Sequence, residues 1–139
     1  MGNLRSVENA LKRLGAEFTV TADADIIRSA DIVQLPGVGI AAEAMENLRK
    51  ADLTQVIRSL RRPVLGICVG MQVMCRHSEE GDCDCLNIFD SHVKRFVPTP
   101  ELKVPHMGWN RISNLESKLF KGINGGEYVY LVHSFYPEL

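Results

Sequence analysis

At 139 residues the chain is long enough for one domain with its own core. Hydrophobic residues make up 45% and charged residues 24%, an ordinary balance for a water-soluble globular protein. A formal net charge of −1 excludes an overall field that would draw in nucleic acid or an anionic membrane, and no apolar run approaches the roughly 20 residues that span a bilayer.

In chain order, Leu4, Val7, Leu11 and Leu14 recur at helical spacing, with Asn3 as the expected N-cap and Gly15 as the stop. These opening residues mix charges into the pattern and lack the apolar centre of a signal peptide. The four cysteines therefore read as reduced thiols of a cytosolic protein, not as a disulfide framework. "EFTVT" (17–21) and "ADIVQLP" (30–36) read as strands, with a short helix in "DADIIRSA" between them. "IAAEAMENLRKADLTQVIRSL" carries two helical stretches broken near Ala51 and Asp52. "RRPVLGI" (61–67) reads as a buried strand and "MQVMCRHS" (71–78) as the helix after it. Alternating strands and helices predict a mostly parallel sheet covered on both faces. After Gly81 the pattern changes, and "LNIFDSHVKRFVP", "KVPHMGWNRI" and "EYVYLVHSFY" read as further strands. No repeat or linker interrupts the chain, so a single domain over 1–139 is expected.

The chemistry concentrates in "PVLGICVGMQ" (63–72), where Cys68 lies between Gly66 and Gly70 at a strand-to-helix turn. A cysteine among Leu65, Ile67 and Val69 could be a small buried hydrophobe. A sharp elbow would instead expose its sulfur at the carboxyl edge of the sheet, near a helix N-terminus that favours a thiolate. The amide following such a nucleophile, that of Val69, is placed to stabilise an oxyanion. "QLPGVGI" brings Gly37 and Gly39 to the end of the preceding strand, the same edge of a parallel sheet. It lacks both dinucleotide and P-loop spacing. Cys75, Cys83 and Cys85, with His77 nearby, lack the paired Cys-x-x-Cys knuckles of structural zinc, so free thiols and no metal are expected.

Taken with "SEEG", "VPHMGWN" and "YVYLVHSFY", these stretches resemble the class I glutamine amidotransferases over essentially the whole chain. "PHMGWN" and "GNLRS" point to the glutaminase subunits that work in histidine biosynthesis. The resemblance implies a flavodoxin-like three-layer α/β fold and hydrolysis of glutamine by Cys68, with Gly39 and Val69 as oxyanion amides. It implies substrate binding by Gly37, Gln72, Ser134 and Phe135, and no cofactor. It implies a partner too: a cyclase with a (β/α)₈ barrel that receives the ammonia to make imidazole glycerol phosphate. Met107 and Trp109 are expected at that contact. The family's first strand would precede Met1 and its activating His-x-Glu pair would follow Leu139. The chain is therefore expected to be incomplete at both ends and poorly active by itself. His133 is expected to position substrate rather than act as base. A non-catalytic, amidotransferase-like binding module is the alternative reading.

Overall fold

A computed structural model describes residues 4–138. The expected cap Asn3 lies outside the described residues. The chain forms two compact units, one of residues up to Lys94 together with Pro137 onward, the other Arg95–Tyr136.

The first unit contains every fully buried hydrophobic side chain of the described residues. Helix α1 (Leu4–Arg13) ends before Gly15, whose φ of +67° suits a residue without a side chain. Helix α2 (Ala24–Ser29) starts where the Asp23 carboxylate accepts the Asp25 and Ile26 amides. Strand β1 (Val33–Gly37) leads into α3 (Ala41–Lys50), which is followed by α4 (Thr54–Ser59) and β2 (Val64–Cys68). The expected break near Asp52 is real: Asp52 has φ of +55°, and the Leu53 amide folds back on the Leu48 carbonyl at 2.9 Å. β1 and β2 pair in parallel, Val33 with Val64 through Gly37 with Cys68. Ala41, Met45, Val56, Ile57, Val69 and Val73 fill the core beside them.

Two expectations need correction here. Residues 17–21 form no strand, although their alternation suits one. A strand needs a paired neighbour, and among the described residues none lies alongside. The expected helix over 71–78 is displaced and shortened: α5 is Val69–Gln72. The amides of Arg76, Cys85 and Leu86 are taken by or point to the carbonyls of Ser91, Arg76 and Val73. These longer-range bonds pull the chain out of the helix and into β3 (His77–Ser78). β3 pairs antiparallel with β4 (Cys83–Asp84) and parallel with β5 (His92–Arg95). Of "LNIFDSHVKRFVP" only β5 is strand. Upstream of it Asn87 has φ of +50°, and the Ile88 and Phe89 amides share the Met74 carbonyl.

The second unit is built on a hairpin. Strands β6 (His106–Arg111) and β7 (Tyr128–His133) pair antiparallel over their whole lengths, His106 opposite His133 and Arg111 opposite Tyr128. Burial alternates along both strands, so one face is half-buried and the other exposed. "EYVYLVHSFY" is broken at Ser134, after which β8 (Phe135–Pro137) begins.

Candidate active site

The elbow forms as the residue types demand. Cys68 has φ of +55° and ψ of −121°, closing β2 and capping α5. A side chain in that left-handed region is strained, and the strain is held by the packing around it. Gly66 and Gly70 are needed because α5 doubles back tightly over the two strands. A Cβ at Gly70 would overlap the Leu35 carbonyl oxygen, and one at Gly66 would stand 2.7 Å from Met71 Cα. Gly37 is equally constrained, since its Cβ would lie 2.7 Å from the Gly70 nitrogen. The two glycines flanking the cysteine therefore let a helix begin immediately at the end of a buried strand, leaving Cys68 exposed.

The sheet register brings the glycine loop to the same place. Gly37 lies opposite Cys68, so Val38 and Gly39 leave the sheet beside the sulfur-bearing residue. Gly39 has φ of +96° and stands ahead of α3, with Glu43 Oε2 3.6 Å from where its Cβ would be. That backbone conformation turns its amide in a direction few other residues allow. Val69 buries its side chain as the first residue of α5. Amides in a helix's first turn lack an intrahelical acceptor, leaving them for other partners.

Gln72, one turn further, is 8% exposed, and its Oε1 has no hydrogen-bond partner. Glu80 was not singled out from the sequence, because neither acid of "SEEG" carries a periodicity or spacing signal. Its Oε2 is likewise buried and unpartnered. Burial pushes the Glu80 carboxyl upward, opposed by the Ala41 amide and the Gln72 side chain. Gly81, with φ of +85°, lets this turn pack against Ala42 at the start of α3. Gln72, Glu80 and the head of α3 thus converge on the region that follows Gly39. Cys75 is buried and its thiol is pushed up by burial. Cys83 and Cys85 bring their sulfurs to 3.9 Å, and burial together with Cys83 pushes the Cys85 thiol up to about 12. Cys75 and Cys85 are therefore poor thiolates.

In the second unit, Ser134 and Phe135 are half-buried at the β7–β8 break. The Ser134 carbonyl accepts the Phe96 amide at 2.9 Å. His133 Nδ1 donates to the Phe135 carbonyl at 2.9 Å, which leaves Nε2 to accept from His106 Nδ1 at 3.1 Å. His106 Nε2 in turn accepts from Asn110 Nδ2 at 3.1 Å. His133 therefore orients the Ser134–Phe135 turn and has both ring nitrogens engaged. On the opposite face, Met107 and Trp109 are 59% and 68% exposed. Trp109 is no part of the core among the described residues. Their cross-strand neighbours Val132 and Tyr130 continue the apolar face, with Trp109 edge-on to Tyr130 at 5.5 Å. No sequence signal separates these two from their neighbours, because "YVYLVH" is apolar from Tyr128 through Val132.

Comparison with known proteins places this geometry in a family. The family model described as Glutamine amidotransferase class-I matches residues 1–138. The chain is 61% identical to the imidazole glycerol phosphate synthase subunit HisH of Bacteroides thetaiotaomicron, covering 97% of this chain and 69% of that protein. The Bacteroides fragilis protein of the same name is 58% identical with the same coverage. A Vibrio vulnificus HisH is 44% identical over 96% of this chain and 68% of its own length.

Proposed function

The chain belongs to the class-I glutamine amidotransferase family, and we propose that it is the glutaminase subunit of an imidazole glycerol phosphate synthase, with Cys68 as nucleophile. The observation that carries this reading is the Cys68 elbow, a strained, exposed cysteine set beside Gly37 by the sheet register. The two units are read as parts of one amidotransferase domain, a reading supported by the family match across both.

In the proposed reaction the Cys68 sulfur adds to the side-chain amide carbon of glutamine, and the carbonyl electrons move onto oxygen. Gly39 and Val69 amides receive that oxyanion. Collapse breaks the carbon–nitrogen bond and expels the nitrogen as ammonia once it has gained a proton. Water then adds to the thioester, releasing glutamate and the free thiol. Gln72 and Gly37 hold the substrate in the first unit. The orphaned Gln72 Oε1 and Glu80 Oε2 suit the donors of a substrate ammonium group. Ammonia passes to a cyclase partner of (β/α)₈ type that forms imidazole glycerol phosphate and an aminoimidazole carboxamide ribotide in the cytoplasm. Met107 and Trp109 provide the apolar contact. No cofactor takes part in these steps. No helix among the described residues is long and apolar enough to cross a membrane.

The activating base is the weak point of residues 1–139 acting alone. Within its unit no described side chain hydrogen-bonds the Cys68 thiol. His77 has Asp82 and Asp84 on its two ring nitrogens, and His106 and His133 are engaged as above. Only His92 remains, with its ring 5.9 Å from that of His77. Turnover by this polypeptide alone is therefore proposed to be poor. A non-catalytic binding module is the second reading, favoured by the exposed hairpin face.

Ammonia release from glutamine with a matching cyclase, compared between the chain and Cys68→Ala, tests the proposal. A weak rate abolished by the substitution is expected. A rate unchanged in Cys68→Ala would remove the assignment, and labelling by a glutamine-mimicking electrophile at any other cysteine would do the same.

A further inference from the structure

Cys83 and Cys85 lie apart from the elbow, and no step of the proposed hydrolysis uses them. Both belong to the first unit and to one stretch of extended chain. Cys83 pairs with Ser78 across β3 and β4, and Asp84 pairs with His77. The Cys85 amide donates to the Arg76 carbonyl at 2.9 Å, so the ladder runs on through Cys85. Residues two apart on extended backbone share a face, here the one packed against the core. The two sulfurs accordingly stand 3.9 Å apart. The Cys85 thiol donates to the Cys83 carbonyl at 3.6 Å, folded back along the same strand. Both side chains are half-buried, open enough to meet a small solute.

Two residues of strand set α-carbons about 6.6 Å apart, and a disulfide accepts roughly 4.4–6.8 Å. The pair can therefore join without a large backbone movement. A bridge at the long end of that range is readily reduced, which suits a reversible step better than a permanent staple. The surroundings favour the joined form. Burial, then the neighbouring Cys83, pushes the Cys85 thiol up to about 12, so a charged sulfur is poorly accommodated there. A disulfide carries no charge. The residue between the cysteines is also held, since Arg49 of α3 donates to the Asp84 carbonyl at 3.0 Å.

We propose that Cys83 and Cys85 form a reversible oxidation site, closed to a disulfide by exchange with a low-molecular-weight disulfide. In the first step Cys83, its proton given to water, attacks one sulfur of the small disulfide. The S–S bond of the small molecule breaks and releases one thiolate. Cys85 then attacks the Cys83 sulfur, expels the second thiolate, and yields its proton to that leaving group. The protein pair loses two electrons and the small disulfide gains them. Bonding Cys83 in the first step also removes the neighbouring charge that helps to raise the Cys85 thiol, which prepares the second step. β4 directly follows the turn that carries Glu80 and Gly81, so closure tightens the strand on which that turn ends. The site stands apart from the glutaminase reading, because neither its chemistry nor its test needs turnover.

The probe is glutathione and glutathione disulfide at graded ratios, applied to the full chain, followed by acid quench and alkylation in denaturant. Trypsin then releases residues 77–94 as one peptide that holds Cys83 and Cys85 and no other cysteine. Under reduced glutathione that peptide is expected to carry two alkyl adducts. Under excess disulfide it is expected to carry none and to be lighter by two hydrogen atoms, and returning it to reductant should restore both adducts. Cys85→Ser should leave a lasting glutathione adduct on Cys83, and Cys83→Ser should leave Cys85 open to alkylation. Two adducts at every ratio would overturn the proposal. A glutathione adduct that persists on the unsubstituted peptide overturns it as well, and so does a bridge from Cys85 to Cys75 or Cys68. The titration of the unsubstituted chain carries the test if either variant does not fold.

Discussion

The two units handle apolar surface in opposite ways. The first buries Leu86, Val73 and Val93 almost completely and carries the strained Cys68 elbow on that packed support. The second, among the described residues, buries no side chain fully and displays Met107, Trp109, Tyr130 and Val132 along one face of a hairpin. A strained backbone persists only where surrounding packing over-determines it, so an elbow belongs on a core. A contact surface has the reverse need, with aromatic side chains free until a partner covers them. On the proposed reading, position within one short chain separates a chemical task from a docking task.

The sharpest way to break this contrast is at the elbow. Gly70→Ala forces a methyl onto the Leu35 carbonyl and is expected to cost about 3 kcal/mol in chemical denaturation. Cys68→Gly at the same turn should move stability the other way by about 1 kcal/mol, because glycine adopts φ of +55° without strain. If both substitutions leave the midpoint unmoved, the elbow is neither tight nor strained.

The hairpin face offers a smaller and differently directed effect. Trp109→Ala should leave thermal unfolding nearly unchanged while weakening capture of the cyclase by about 2 kcal/mol. Leu86→Ala, by contrast, should cost about 3 kcal/mol of stability, since its side chain is 1% exposed. Equal stability losses from the two substitutions would erase the distinction between the units.

The smallest effect concerns Glu80. Burial raises its carboxyl above the ordinary 4.5, so the folded chain holds that proton more tightly than the unfolded one. The associated stability is present below 4.5 and is lost as pH rises through the folded value. Wild type should therefore lose stability relative to Glu80→Gln as pH climbs from the acid side towards neutrality. Parallel curves for the two proteins would show that the carboxyl is not held in an apolar setting.

Much of the site was legible because its signals are local. Gly66, Cys68 and Gly70 announce an elbow by spacing alone, and the helix break near Asp52 was legible in the same local way. Met107 and Trp109 were legible as a surface only through the family resemblance, since a tryptophan beside glycine and methionine reads equally well as core. Glu80 was missed because nothing near it in sequence distinguishes it from Glu79. What isolates Glu80 is a turn that Gly81 packs against Ala42, almost forty residues away.

Sequence by itself determined the helices α2 to α4, the strands β1 and β2, and the cysteine between its glycines, because caps, breakers and periodicity act over a few residues. Tertiary structure decided the rest. It set Gly37 against Cys68, ended α5 at Gln72 so that β3 could pair, and withheld strand structure from residues 17–21. Each of those outcomes depends on a partner distant in the chain, and a strand's hydrogen bonds, unlike a helix's, must all be made with another segment.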